Sequence, residues 1–173
     1  MDKSIDAVLE NILTREGWPE YTVHPNDKGG PTKGGITLRT LEAWRHRRCT
    51  RAELQRLTEG EALEILQRRY VETNGIDKIK SLTIQAQVID DAVLSGPLIA
   101  VKDLQSAIGH IAIDGIIGEK TLAGMNTKSE KTLTTEIAIT RTLRLIRHVR
   151  NNPDQIVFLV GWVQRSLSFL RQA

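Results

Sequence analysis

Apolar residues recur at helical spacing along almost the whole of this 173-residue chain, and the longest break in that rhythm is residues 18–37, which hold four glycines and three prolines. Ile5, Val8, Leu9, Ile12 and Leu13 fall at i, i+3, i+4, i+7 and i+8, which places them on one face of an amphipathic helix. Ser4 is positioned to cap its start, and Gly17 with Pro19 ends it just after Glu16. The Gly/Pro-rich stretch reads as an irregular β-hairpin or loop. Thr37 then opens a short helix carrying Leu38, Leu41 and Trp44, and Thr50-x-x-Glu53 and Thr58-x-x-Glu61 are capping-box patterns for two more. The second of these runs through Leu63, Leu66 and Tyr70 to a stop at Gly75.

Further helices are expected over 82–95 and 97–108, broken by Gly96-Pro97, and over 120–125 after a turn-rich piece from His110 to Gly118. Two long helices, 130–151 and 154–171, close the chain around Asn151-Asn152-Pro153. The expectation is an α+β protein, mostly α-helical, with one small β-hairpin. The softest boundary lies near Gly75–Ser81, dividing the chain into 1–80 and 81–173, with the two parts able to pack as one globular unit.

Composition narrows the function classes. No apolar run approaches the ~20 residues that span a bilayer, so stable membrane insertion is not expected. Met1-Asp2-Lys3-Ser4 lacks a basic stretch followed by an apolar one, so a secretory leader is not expected. The single cysteine, Cys49, allows no internal disulfide, and four scattered histidines form no metal-ligand spacing. The net charge of +3 is compatible with attraction to an anionic polymer and equally with an ordinary solvated surface. Two basic clusters stand out, Arg45 to Arg51 and Arg141-Arg144-Arg147-Arg150, but no nucleic-acid-binding module accompanies either.

The chemistry concentrates at the end of the first helix. Splitting a glycosidic bond needs a carboxylic acid to protonate the departing oxygen, and a second group to steer water or stabilise the oxocarbenium-like transition state. A glutamate at a helix C-terminus suits the acid role, because the negative end of the helix dipole and partial burial both disfavour its ionised form. Glu16 has that position, and the following loop carries Asp27 and the hydroxyls of Thr32 and Thr37. Glu20 is a rival acid that reads more simply as an exposed loop carboxylate. Taken singly, Asp27 beside Gly29 is a turn former and Thr37 a helix cap.

The string Glu16-Gly17-Trp18-Pro19-Glu20-Tyr21, then Asp27-Lys28-Gly29-Gly30-Pro31-Thr32-Lys33-Gly34-Gly35-Ile36-Thr37, resembles the E-G-G-Y … D-x-G-G-x-T-x-x-G-I-T signature of glycoside hydrolase family 108, the phage-type N-acetylmuramidases. The Glu-Asp-Thr order is also similar to the catalytic trio of phage T4-type lysozymes. The chain departs from the family pattern in the longer, stiffer segment after Glu16 and in Gly34, which stands where the family carries asparagine. The resemblance implies a lysozyme-like fold with the hairpin over the active-site cleft. It implies Glu16 as general acid with Asp27 and Thr32 as partners, Thr37 remaining an alternative to Thr32, and no cofactor. Trp18 and Tyr21 flank the acid as candidate substrate contacts with Thr37, and Tyr70 matches an aromatic that the family carries at the end of its helix. Trp44 and Trp162 read as packing residues.

In the second half, Gln87 to Pro97 resembles the family's F-D-x-A-V-N-x-G-P segment. Leu104-Gln105 with Asp114-Gly115-Ile116-Ile117-Gly118 and Thr121-Leu122, and the closing Gly161-Trp162-Val163-Gln164-Arg165, resemble small peptidoglycan-binding domains. Physically, Asp114-Gly115 and Gly118 are turn chemistry first. Of Asp90 and Asp91, one is expected in a polar network and the other in water. The last helix reads as a core helix in preference to a membrane-active one.

The resemblance thus implies an endolysin of phage or prophage origin that acts on peptidoglycan as a monomer. It would be made in the host cytoplasm and reach the wall through a holin pore. A lytic transglycosylase, or a non-catalytic wall-binding or secretion-accessory protein, are the alternatives.

Overall fold

The computed structural model describes residues 4–23 and 30–171. Residues 1–69 and 70–173 form two compact units.

In the first unit, α1 spans Ile5–Arg15. Ser4 caps it as expected, its hydroxyl accepting the Ala7 amide at 3.2 Å. Leu9, Ile12 and Leu13 are its buried positions. α1 packs against α4 (Glu59–Leu66), whose buried residues are Ala62, Ile65 and Leu66. Between them in sequence lie three two-residue strands, β1 (Tyr21–Thr22), β2 (Thr32–Lys33) and β3 (Ile36–Thr37), which form one antiparallel sheet in the order β1-β2-β3. The sheet therefore has a strand more than the simple hairpin expected from the sequence. Its register pairs Thr22 with Thr32 and Thr32 with Thr37, and Tyr21 with Lys33 and Lys33 with Ile36. Directly opposed residues share a face, so three threonines make one row and Tyr21, Lys33 and Ile36 the other.

Two short helices complete the unit, α2 (Leu38–Arg45) and α3 (Arg51–Gln55). Thr50 and Glu53 form the full reciprocal capping box of α3. Thr58 caps α4, but the Glu61 carboxylate is taken instead by a two-pronged pair with Arg45, at 2.8 and 2.7 Å. Arg47 reaches Glu53 at 2.6 Å and Arg48 lies 3.6 Å from Glu42. The first basic cluster of the sequence is thus largely matched by local carboxylates.

A π-turn (Gln67–Val71) spans the boundary at residues 69 and 70, and two 3-10 turns across Asn74 and Gly75 then lead into α5 (Leu82–Ser95) and α6 (Pro97–Ile108) of the second unit. After α7 (Glu119–Met125) come the long α8 (Glu130–Asn151) and α9 (Ile156–Leu167). α6 packs on both α5 and α8, and α8 on α9. The core there is built from Val88, Ile89, Val101, Leu104, Leu133 and Ile137, among others.

Two expectations are corrected. Asp90 and Asp91 are both buried, at 1% and 2% exposure, because both are consumed by arginines and neither faces water. α9 is not a core helix: Ser166 is its one fully buried position, while Ile156, Val157, Phe158 and Val160 are all more than half exposed. Its apolar face is wider than the strip that α8 covers.

The Asp114-Gly115 turn is structural, as its residue types suggest. Buried Gln105 donates to the Asp114 carboxylate at 2.8 Å and to the Ile116 carbonyl at 3.1 Å, while its own carbonyl accepts the Gly115 amide at 2.8 Å. The Gln105 amide holds the Asp114 carboxyl below its ordinary range.

Candidate active site

Glu16 sits at the C-cap of α1, half-buried. What fixes it there is a helix stop of Schellman type. The Gly17 amide donates to the Thr14 carbonyl at 3.1 Å and the Trp18 amide to the Leu13 carbonyl at 3.1 Å, with Gly17 at φ +87°. A residue with a Cβ resists that conformation, so the Glu-Gly pair is a local device that ends the helix and presents the carboxylate at its end.

The β2–β3 turn closes over the same place. Gly34 and Gly35 are its two central residues, at φ +53° and +76°, as a tight primed hairpin turn requires. Their lack of side chains also permits close approach. A Cβ on Gly35 would lie 3.1 Å from Glu16 Cβ and 3.4 Å from Glu16 Oε2. One on Gly34 would lie 2.7 Å from the Trp18 ring and 3.3 Å from Leu13. The hairpin backbone is therefore one wall against the Glu16 side chain.

Lys33 secures that wall. Its ammonium stands 4.7 Å from the centre of the Trp18 ring and donates to the carbonyls of Gln55 and Leu57 at 2.7 and 2.8 Å. A cation at the carbonyl end of α3 and over an indole face is favoured twice. In the sequence Lys33 stands only as one letter of the Thr-Lys-Gly-Gly string, with nothing beyond that string to mark it as a site residue. The available signal was a lysine beside a two-glycine turn, which places a long side chain next to a sharp reversal.

Of the other expected site residues, Thr32 is half-buried on β2 with its hydroxyl 2.9 Å from that of Thr22. The Thr37 hydroxyl accepts the Thr40 amide at 3.1 Å as the cap of α2, and lies 2.9 Å from the Thr40 hydroxyl. Tyr21 is half-buried on β1, across from Lys33. Glu20, the rival acid, is exposed. Tyr70 lies in the second unit, half-buried within the π-turn. Asp27 falls outside the described residues. Among the described residues no cluster of His, Cys, Asp or Glu is arranged to hold a metal ion.

A half-buried carboxylate at a helix end, walled by a glycine turn and followed by a row of threonine hydroxyls, can exchange a proton with a bound oxygen, which is one of the two functions that splitting a glycosidic bond requires. Comparison with known proteins agrees. Residues 9–96 match the Glycosyl hydrolase 108 family model, and the chain belongs to that family. Residues 99–167 match a second model, described as Predicted Peptidoglycan domain. Among solved structures the chain is similar to that entitled "Structure of Brucella abortus SagA", at 31% identity and a TM-score of 0.74, over 98% of each chain. No curated protein matches. The protein is thus a glycoside hydrolase of lysozyme-like fold, with peptidoglycan as its partner.

Proposed function

We propose that the chain hydrolyses the β-1,4 bond between N-acetylmuramic acid and N-acetylglucosamine, with Glu16 as general acid. The observation that carries this reading is the convergence of two independent backbone devices, the Gly17 helix stop and the Gly34-Gly35 turn, on one half-buried carboxylate. Asp27 and Thr32 are the proposed partners that orient water or stabilise positive charge. Thr37 stays the alternative to Thr32, since both hydroxyls are engaged at 2.9 Å, Thr32 with Thr22 and Thr37 with Thr40. Trp18 and Tyr21 are proposed to contact sugar near the acid, with Tyr70 a further contact.

The wider biological reading is an endolysin of phage or prophage origin. It acts as a monomer, is made in the host cytoplasm and is released to the wall through a holin. Its support is the likeness of the Glu16–Thr37 string to phage-type muramidases. The division of labour that goes with it assigns 1–80 to catalysis and 81–173 to the wall.

The test is mass spectrometry of purified peptidoglycan digested by the wild type and by Glu16→Gln. The expected result is reducing-end muramic acid from the wild type and a rate at least about 100-fold lower for Glu16→Gln, the usual scale of losing a general acid. Anhydromuramic ends would make the protein a transglycosylase. Intact glycan from both would leave a wall-binding or secretion-accessory role.

A further inference from the structure

The second unit contains a cavity of about 450 Å³ between the start of α5, α7 and the start of α8. Its volume lies within the range of small-ligand sites. Ile84, Leu122 and Met125 give it an apolar floor, and its polar lining is unequal in charge: Lys78, Lys80 and Lys128 against Glu130 alone.

The groups differ in how they are held. Lys128 is anchored, donating to the Ala107 carbonyl at 2.6 Å. Glu130 is anchored through one oxygen, which accepts from the Ser81 hydroxyl at 2.6 Å, while Ser81 itself caps α5. Lys78 and Lys80 are exposed and make no ion pair among the described residues. The cavity thus offers two uncommitted ammonium groups, a third ammonium with donors to spare, an aliphatic floor and one fixed carboxylate.

We propose that this cavity binds a short peptide rich in free carboxylates and carrying one amine, which in peptidoglycan is the stem peptide. The proposal rests on the reading of peptidoglycan as the substrate. Carboxylates meet Lys78 and Lys80, the aliphatic chain lies over Ile84, Leu122 and Met125, and the amine meets Glu130. Among the described residues no aromatic ring lines the cavity, which sets it apart from the stacking platform of a sugar subsite. An apolar floor and an opposing carboxylate also distinguish it from a phosphate cradle, which needs converging donors alone.

The experiment is calorimetric titration of the full chain with the sugar-free tetrapeptide N-acetyl-L-Ala-γ-D-Glu-meso-diaminopimelate-D-Ala, whose one amine is that of diaminopimelate, with chitotetraose as the sugar control. The wild type is expected to bind the tetrapeptide. The double variant Lys78→Gln/Lys80→Gln should bind it at least about tenfold more weakly with an unchanged urea midpoint, because both side chains are exposed. Glu130→Gln should lose the preference for the tetrapeptide over the same peptide acetylated on its diaminopimelate amine. Absence of tetrapeptide binding by the wild type, or equal binding by the double variant, would overturn the proposal. Digestion of peptide-free glycan by the wild type, run in parallel, reports on the muramidase reading separately.

Discussion

At the scale of single residues, the candidate site depends on two glycines that act differently. Gly17 has open space where a Cβ would be, so Gly17→Ala carries only the backbone cost of its positive φ, about 1 kcal/mol. Gly35→Ala adds a contact of 3.1 Å with Glu16 to a similar backbone cost, so about 2 kcal/mol is expected. The two variants should therefore separate. Urea midpoints should fall modestly for both, but kcat on peptidoglycan should drop much further for Gly35→Ala, because the added carbon displaces the Glu16 carboxylate, the proposed acid. Gly30→Ala, at φ +74° with no neighbour within 4 Å, controls for backbone strain in the same segment. The position of Glu16 at the end of α1 was legible in the sequence because its signals are local: an apolar helical face, then Glu-Gly, then Pro. Lys33 was not, since its value lies in carbonyls 22 and 24 residues further along the chain.

At the scale of elements, the second unit is held by an ion network inside its helices. Arg141 on α8, with no exposure, lies 2.9 Å from Asp90 and 3.1 Å from Asp91, both on α5. Arg144 joins Asp91 at 2.8 Å to Asp103 on α6 at 2.6 Å, and Arg165 on α9 reaches Asp90 at 2.9 Å. Three carboxylates and three guanidiniums balance, so removing one member leaves buried charge. Arg141→Ala should cost about 3 kcal/mol by urea unfolding, at the low end for a broken buried pair because Arg144 and Arg165 still serve the two aspartates. Burial pushes the Asp103 carboxyl up to about 6, outweighing the opposing pull of Arg144. A carboxyl raised in the folded state binds more protons there, so its contribution to stability is full below its unfolded value of 3.8 and is lost as pH rises through about 6. Stability relative to Asp103→Asn should accordingly decline between pH 4 and pH 7, read as converging or crossing urea midpoints. The helices themselves were legible, down to the break at Gly96-Pro97 and the caps at Ser4, Thr37 and Thr50. The network was not. Arginines repeating every three residues look like a solvated spiral until the carboxylates of two other helices are known to face them.

At the scale of the whole molecule, formal charge and apolar count both mislead, for one reason: each is a sum over residues whose burial the sequence does not reveal. Much of the basic character is spent internally, Arg45 and Arg47 on Glu61 and Glu53, Arg141 and Arg144 on aspartates. The apolar character runs the other way. Ile139, Leu143 and Ile146 on α8 are 45–53% exposed, and Ile156, Val157 and Val160 on α9 are 57–74% exposed. The two helices run antiparallel, with His148 against Trp162 and Thr142 bonded to Ser166, so α8 covers α9 along a strip centred on Ser166. About 100° per residue puts Ile156, Val160 and Leu167 roughly a quarter-turn or more from that strip. From sequence, eight apolar residues in the twelve of α9 read as a core helix, but periodicity cannot say whether a wide apolar face finds a neighbour on every side. The consequence is measurable. Val157→Gln with Val160→Gln should change the unfolding free energy, measured with urea, by less than about 0.5 kcal/mol per site, the scale of surface substitutions. Leu133→Ala, at 0% exposure on α8, should cost about 2–5 kcal/mol. A loss of core size from the paired α9 change would mean that these valines are covered in solution, and the exposed face would have to be redrawn as part of the core.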